Sequence, residues 1–338
     1  MDMERLKQAG HRIIIGVDFG TTFTGVGWVD TASGSNVQDV FLINDWGGKA
    51  KTCDYNWKVP TIVAYQDENS SKSMKDDKWG FEVESSMVSW SWMKLLLDKG
   101  QAETHYDDSL QEVKQHPLKT AEQMISDYLR GVYQFLVKKL ERRFGGEAIE
   151  ILPFEFWFTI PAIWSDQAKV TTKRAAQAAG FASRPGDKIF LIPEPEAAAV
   201  AVLKELTHHG DSVFVEPGNG MIICDCGGGT IDITTYAICQ TEPTLEFDEV
   251  VVGAGGKCGS TYIDRRFLIW MSNTFGSGFD NLPDRLKSPG SKLMKAFESA
   301  KREFKVGGYE SYEVSLHIPG VRDSDFYDED ESQVKIPW

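Results

Sequence analysis

Two segments of this chain are written on one plan. Residues 13–27 read IIIGVDFGTTFTGVG, and residues 222–236 read IICDCGGGTIDITTY. Each is an apolar run, an aspartate (Asp18 or Asp225), one residue, a glycine (Gly20 or Gly227), then small residues and threonine. Short apolar runs bounded by Gly and Asp predict strands, so each segment is expected to be a β-hairpin with an aspartate at its tip. The two aspartates stand roughly 200 residues apart, too far for a solenoid repeat. Two related lobes are the economical arrangement, and 338 residues suit about two domains.

A Gly/Thr turn between two strands presents successive backbone N–H groups with no bulky side chain above them, a concavity that binds phosphate oxygens. A carboxylate beside it would repel phosphate unless it faces a hydrated Mg2+, which keeps several waters and is held by one or two carboxylates plus substrate phosphates. Asp18 and Asp225 are placed for that role, and two such turns would grip a polyphosphate from both sides. One such turn alone is equally well an ordinary tight hairpin.

Composition narrows the partners. Lys+Arg 36 against Asp+Glu 50 leaves a net charge of −14, and 41% hydrophobic with 12% aromatic residues indicate a folded globular chain. The basic clusters, Lys138-Lys139 with Arg142-Arg143 and Lys301-Arg302, sit among acids on helix-like stretches, so neither nucleic acid nor a membrane surface is an expected partner. Five cysteines, Cys53, Cys224, Cys226, Cys239 and Cys258, have no CxxC spacing, and six histidines form no ligand cluster. Neither a disulfide framework nor structural zinc is expected. Cys224 and Cys226 alternate with Asp225 along a strand, so they are expected on the opposite face as small buried hydrophobes. Without a signal segment or an 18-residue apolar run, the expected location is cytoplasmic. Asn69-Ser70-Ser71 is a sequon expected to be an unmodified loop.

Between the hairpins, 49–108 is irregular and Trp-rich and reads as an inserted subdomain at about 50–117, with 87–97 expected helical. Residues 120–144 carry apolar positions at helical spacing behind a Thr120…Gln123 capping box, with Gly145-Gly146 as the stop. A strand at 155–160, a helix from Ser165 to Gly180, a strand at 189–192 and a small-residue helix at 196–206 follow. The run 323–331 holds six acids and is expected to be a solvated loop.

In order along the chain, VDFGTTFTGVG, FTIPAIWSDQAKVTTKRAAQAAGF, IPEPEAAAVAVL and IICDCGGGTIDITTY resemble the nucleotide-binding domain of the 70 kDa heat-shock (DnaK-like) chaperones, within the superfamily of actin and the sugar kinases. The resemblance spans about 13–304. It implies a two-lobed, actin-like (ribonuclease-H-like) α/β ATPase fold closing on ATP or ADP with Mg2+. Lobe one would occupy 10–207 and lobe two 218–338, with a smaller subdomain at about 257–338. The family completes lobe two with further elements beyond this point, so the second lobe is expected to be truncated, ending in the beginning of a strand at 334–338.

Carried over residue by residue, Asp18, Asp225 and Asp232 would orient the metal through water, and Gly20, Thr21, Thr22, Gly227, Gly228, Gly229 and Thr230 would bind phosphates. Asp232 is otherwise a residue capping its own turn. Glu194 would order the attacking water, consistent with a reaction that needs positioning and charge neutralisation more than covalent chemistry; it is otherwise an acid favoured at a helix start. Lys94, in Met93-Lys94-Leu95, is either the family's phosphate-reaching lysine or a solvated residue on an amphipathic helix. GAGGKCGS at 253–260 fails the Walker pattern; the resemblance gives Gly255 and Gly256 phosphate and ribose contact, although Lys257-Cys258 departs from the chaperones. In FESAKR, Glu298, Lys301 and Arg302 share a helix face and would flank adenine, or else form a surface salt bridge.

These residues imply Mg-dependent ATP hydrolysis if the site is complete. The alternatives are a non-hydrolysing nucleotide-binding or regulatory fragment and a small-molecule kinase of the same superfamily. The resemblance admits a co-chaperone or other proteins as partners, and peptide chaperoning is not an expectation for this stretch of sequence.

Overall fold

In a computed structural model of the chain, residues 10–32, 39–49, 56–72, 74–98, 116–208, 215–241, 244–305, 307 and 311–337 are described. Cys53 and much of the expected 50–117 insertion lie outside the described residues.

The first hairpin forms as its pattern requires. Strands β1 (Ile13–Phe19) and β2 (Phe23–Asp30) pair antiparallel with Asp18 opposite Gly25. Alternate residues Ile13, Ile15, Val17 and Phe19 are fully buried, the period-two signature of a strand with one face in a core. Short strands β3 (Phe41–Leu42) and β4 (Lys58–Pro60) both add to β2. Strands β5 (Ile62–Ala64), β6 (Lys78–Trp79) and β7 (Trp90–Ser91) make a separate small sheet in the order β6-β5-β7. Strands β8 (Phe154–Ile160) and β9 (Lys188–Pro193) then extend the first sheet in parallel, giving the order β3-β2-β1-β8-β9.

The helix Ala121–Phe144 begins with the expected capping box, Thr120 and Gln123 satisfying each other's backbone N–H, and ends at Gly145 with φ 90°. Its buried stripe from Met124 to Leu140 packs on the sheet in one core with Phe154, Phe156, Phe158 and Phe181. The helix Asp166–Ala179, capped by Ser165 and closed by left-handed Gly180, lies in the crossover from β8 to β9, and Glu194–His208 follows β9 directly.

The second hairpin gives β10 (Gly220–Cys226) and β11 (Ile231–Gln240), joined by β12 (Glu246–Gly256) in an antiparallel meander. The helices Ser260–Phe275 and Lys292–Glu303 share a second core in which the Phe267 and Phe297 rings stack at 3.9 Å. This core also holds Val314, Tyr327 and Val334 from β13 (Ser311–Ser315), β14 (Tyr327–Asp328) and β15 (Gln333–Pro337), a sheet with β15 in the middle. Among the described residues no helix is long and apolar enough to cross a membrane.

Three expectations are corrected. The stretch 87–97 is not a helix: β7 is followed by one 3-10 turn, Met93–Leu96, because Trp92 between them takes the left-handed conformation at φ 58°. The acidic run 323–331 is not wholly a loop, since β14 lies inside it and buries Tyr327. Cys224 and Cys226 do share a face opposite Asp225, yet both are exposed, because among the described residues nothing covers that face of β10. Asn69 sits at a kink between two short 3-10 turns and is buried, its side-chain amide donating to Tyr65 O and Val88 O.

Candidate functional site

The two Gly/Thr turns meet. A Cβ on Gly228 would lie 2.6 Å from Thr22 Oγ1, and one on Gly229 would lie 2.4 Å from Thr21 Oγ1. Glycine is therefore required at both positions for the turns to approach this closely. At the first turn a Cβ on Gly20 would strike the Phe23 carbonyl at 2.3 Å. Thr61 ties the same turn down twice, donating its Oγ1–H to Gly20 O and its N–H to Thr22 O. At the second turn Gly227 N–H donates to Thr230 O at 2.9 Å, and Thr230 is buried. The N–H groups of Gly259, Ser260 and Thr261, at the start of the helix Ser260–Phe275, donate to the carbonyls of Gly229, Gly227 and Gly228.

Around the turns stand four carboxylates and two ammonium groups. Asp18 Oδ2 accepts from Lys58 Nζ at 2.7 Å, and Oδ1 accepts from Thr159 Oγ1 at 2.8 Å. Burial by itself would raise this carboxyl, but Lys58, Thr159 and Lys94 outweigh it and hold Asp18 below the usual range. Asp225 lies in register with Asp232. Burial first, then the charges of Asp18 and Asp232, push Asp225 up against the opposing pull of Lys58 and Lys94. Glu194, the first residue of its helix, accepts from Lys94 Nζ at 2.7 Å. Burial, Asp18 and Asp225 raise it more than Lys94 lowers it. Lys94 is buried, its Nζ 5.5 Å from the Phe19 ring centre and 5.2 Å from that of Trp164, so it is not on a solvated face.

Asp232 is buried to 1% exposure. Its Oδ1 accepts from Ile163 N at 3.3 Å, and its buried Oδ2 has no partner among the described residues. An excess of two negative charges and an orphaned carboxylate oxygen suit a divalent cation. Among the described residues no three acidic, thiol or imidazole groups converge as a direct metal-binding cluster, so a hydrated ion fits better than a bare one.

The first half of the glycine cluster at 253–260 is the end of a strand rather than a turn. Gly255 pairs with Asp232 and Gly256 with Ile231, and Lys257 Nζ donates to Asp98 O. Glu298, Lys301 and Arg302 do share a helix face, Glu298 pairing with Lys301 at 2.6 Å and with Arg302 at 2.8 Å. Lys301 also bonds Asp264 at 2.8 Å. Among the described contacts none links this trio to the carboxylates. The Cys226 thiol, hydrogen-bonded to Cys224 and beside Asp225, is held above the ordinary thiol range.

Sequence reasoning missed Lys58, Thr61, Thr159 and Ile163. Thr159 carried a usable signal, a polar residue near the C-terminal end of a strand that runs parallel to its neighbours, where sites of α/β sheets gather. Lys58 and Thr61 carried none, since only the pairing of β4 with β2 brings them to the turn.

No family model matches the chain. Human heat shock 70 kDa protein 12B is 23% identical to it, over 93% of this chain and 52% of the relative. Human heat shock 70 kDa protein 12A is 25% identical, over 88% and 50%. The chaperone protein DnaK of Burkholderia cenocepacia is 25% identical, over 91% and 44%. The chain is thus a distant relative of the 70 kDa heat-shock proteins, and its mixed α/β architecture is consistent with their actin-like ATPase fold. It spans about half the length of the human relatives it matches.

Proposed function

We propose that the chain is a heat-shock-70-like nucleotide-binding unit, with lobes at 10–207 and 218–338, that takes ATP or ADP with Mg2+ between its two Gly/Thr turns and hydrolyses ATP. The observation that carries this reading is the meeting of Lys94, Glu194, Asp18 and Asp225 beside two touching turns that lie far apart in sequence. Helix N–H groups take up the carbonyls of the second turn, which favours its remaining amides as the anion-facing groups. Magnesium, when bound, would neutralise phosphate charge, with Asp18, Asp225 and Asp232 holding its water shell. Glu194 would position the attacking water at its carboxylate and accept its proton, its raised pKa making it a better base than an ordinary carboxylate. Lys94 would orient Glu194 and contact phosphate. Because the turns touch, nucleotide would enter by separating them. Chaperone partnership is part of this proposal only through the names of the relatives.

Isothermal titration with Mg-ADP, together with phosphate release from ATP, tests the reading. Binding with turnover that Glu194→Gln abolishes supports it. Binding with no turnover leaves the non-hydrolysing reading, and absence of binding removes both. Turnover dependent on an added sugar would instead identify a small-molecule kinase.

A further inference from the structure

Cys224 and Cys226 stand two positions apart on β10, and strand alternation sends both side chains to the face opposite Asp225. Their sulfurs lie 3.6 Å apart, and both residues are exposed. Among the described residues strand β10 pairs with β11, with Cys224 opposite Ile233, Asp225 opposite Asp232 and Cys226 opposite Ile231. Among the described residues its other edge carries no strand. An accessible sulfur pair already in contact, on a strand held along one side, has only to close from 3.6 Å to the disulfide length of about 2 Å.

Closure has a geometric consequence. Residues i and i+2 of an extended strand have Cα atoms about 6.6 Å apart, near the top of the roughly 4.4–6.8 Å range that disulfides bridge. Bonding the two sulfurs therefore draws the strand into a sharper pleat at the residue between them. That residue is Asp225.

We propose that Cys224 and Cys226 form an oxidisable dithiol that closes to an intramolecular disulfide with hydrogen peroxide, and that closure displaces Asp225 relative to Asp232 and Asp18. One sulfur attacks a peroxide oxygen, breaking the O–O bond and becoming a sulfenic acid as the first water leaves. The second sulfur then attacks the sulfenic sulfur and expels its oxygen as the second water. The two thiols lose two protons and two electrons in all, and one hydrogen peroxide becomes two waters. Bond formation is independent of the nucleotide reading; only its effect on nucleotide rests on that reading.

The test treats the whole reduced chain with excess hydrogen peroxide, then alkylates, digests and maps it by mass spectrometry. The expected product is a peptide two hydrogens lighter with Cys224 linked to Cys226, absent in Cys226→Ser and retained in Cys258→Ser. Linkage to Cys239 or Cys258, linkage between chains, or over-oxidation without linkage overturns the site. In a second arm, Mg-ADP affinity is compared before and after linkage. We expect a loss of about tenfold, the scale of one weakened charge-assisted contact. Dithiothreitol should restore the affinity, and the double variant Cys224→Ser/Cys226→Ser should show no loss. Unchanged affinity in fully linked protein overturns the displacement of Asp225. If reduced protein binds no Mg-ADP, the nucleotide reading fails by itself; hydrogen exchange at Gly227–Thr230 then reads the displacement, and unaltered protection on linkage overturns it.

Discussion

Lys94 and Glu194, 100 positions apart in the chain, are joined by a 2.7 Å ion pair whose side chains are only 3% and 14% exposed. Neither charge is affordable there without the other. Lys94→Met leaves a buried carboxylate unpaired and is expected to destabilise the fold by about 3–5 kcal/mol. The double variant Lys94→Met/Glu194→Gln should recover much of that loss. Denaturant unfolding of the two single variants and the double closes the cycle, and strictly additive losses would mean the pair is not coupled.

The carboxylates separate binding from turnover. Asp18→Asn and Asp225→Asn each remove a charge proposed to hold the metal's water shell, so Mg-dependent nucleotide affinity should fall in both. Glu194→Gln also leaves Lys94 unpaired and costs stability, but in protein that remains folded affinity should stay near wild type while kcat falls, since a water-positioning group acts mainly in the transition state. Calorimetry beside steady-state turnover checks the split, and equal loss of binding in Glu194→Gln would reassign that residue to structure.

Lys58 donates to Asp18 Oδ2, so under the proposed reading it would compete with a hydrated metal for that carboxylate. Both partners are about half exposed, so the pair is worth at most about 1 kcal/mol. Lys58→Met should therefore lower the Mg2+ concentration needed for half-maximal nucleotide binding by no more than several-fold. A magnesium titration at fixed nucleotide measures it, and an unchanged or raised requirement would show that Lys58 does not compete.

What could be read from the sequence was local. Thr120 and Gln123 sit three apart and cap each other wherever a helix follows, and Asp18-Phe19-Gly20 and Asp225-Cys226-Gly227 each specify a hairpin tip within one turn. The contacts that finish the site are not local: Thr159 reaches Asp18 across 141 positions because β8 lies parallel to β1, and Ile163 reaches Asp232 across 69. No periodicity encodes either. The misread stretch 87–97 fails for a related reason, since its apolar spacing imitates a helix while Trp92 adopts a left-handed backbone between strand and turn. Exposure of Cys224 and Cys226 depends on what lies over β10, which the strand's own residues do not encode.

Acid stability offers a test away from the site. Asp127 accepts from Arg130 at 2.7 Å, Lys119 at 3.0 Å and Tyr65 at 3.3 Å, joining the helix Ala121–Phe144 to its flanking segments. Burial opposes ionisation, but Arg130 and Lys119 outweigh it and hold the carboxyl below its ordinary range. A carboxyl that titrates lower when folded contributes stability above the unfolded value of about 3.9, and that contribution disappears as pH falls through the folded value. Asp127→Asn should accordingly lower stability near neutral pH and make its loss on acidification shallower. Unfolding free energy measured from pH 7 to pH 2 decides it; parallel curves for the two proteins would rule the linkage out.

Gly255 and Gly256 are neighbours in one strand but face different surroundings. A Cβ on Gly255 would lie 2.7 Å from Ile231 O, 2.8 Å from Ile163 Cγ2 and 3.1 Å from Asp232 Oδ1, where two of the contacts are unyielding parts of the site's frame. On Gly256 the nearest atom is Cys258 Sγ at 3.4 Å, an ordinary contact. Gly255→Ala must therefore shift the Ile231 carbonyl, a backbone atom next to Asp232 in the paired strand, at a cost of about 1–3 kcal/mol for overpacking. Gly256→Ala should stay within about 0.5 kcal/mol of wild type. Thermal melts of the two variants compare them directly, and Mg-ADP affinity should fall in Gly255→Ala alone. Equal melting temperatures would show that the strand yields at Gly255 and that its close approach to the Ile231 carbonyl is not what fixes the neighbouring Asp232.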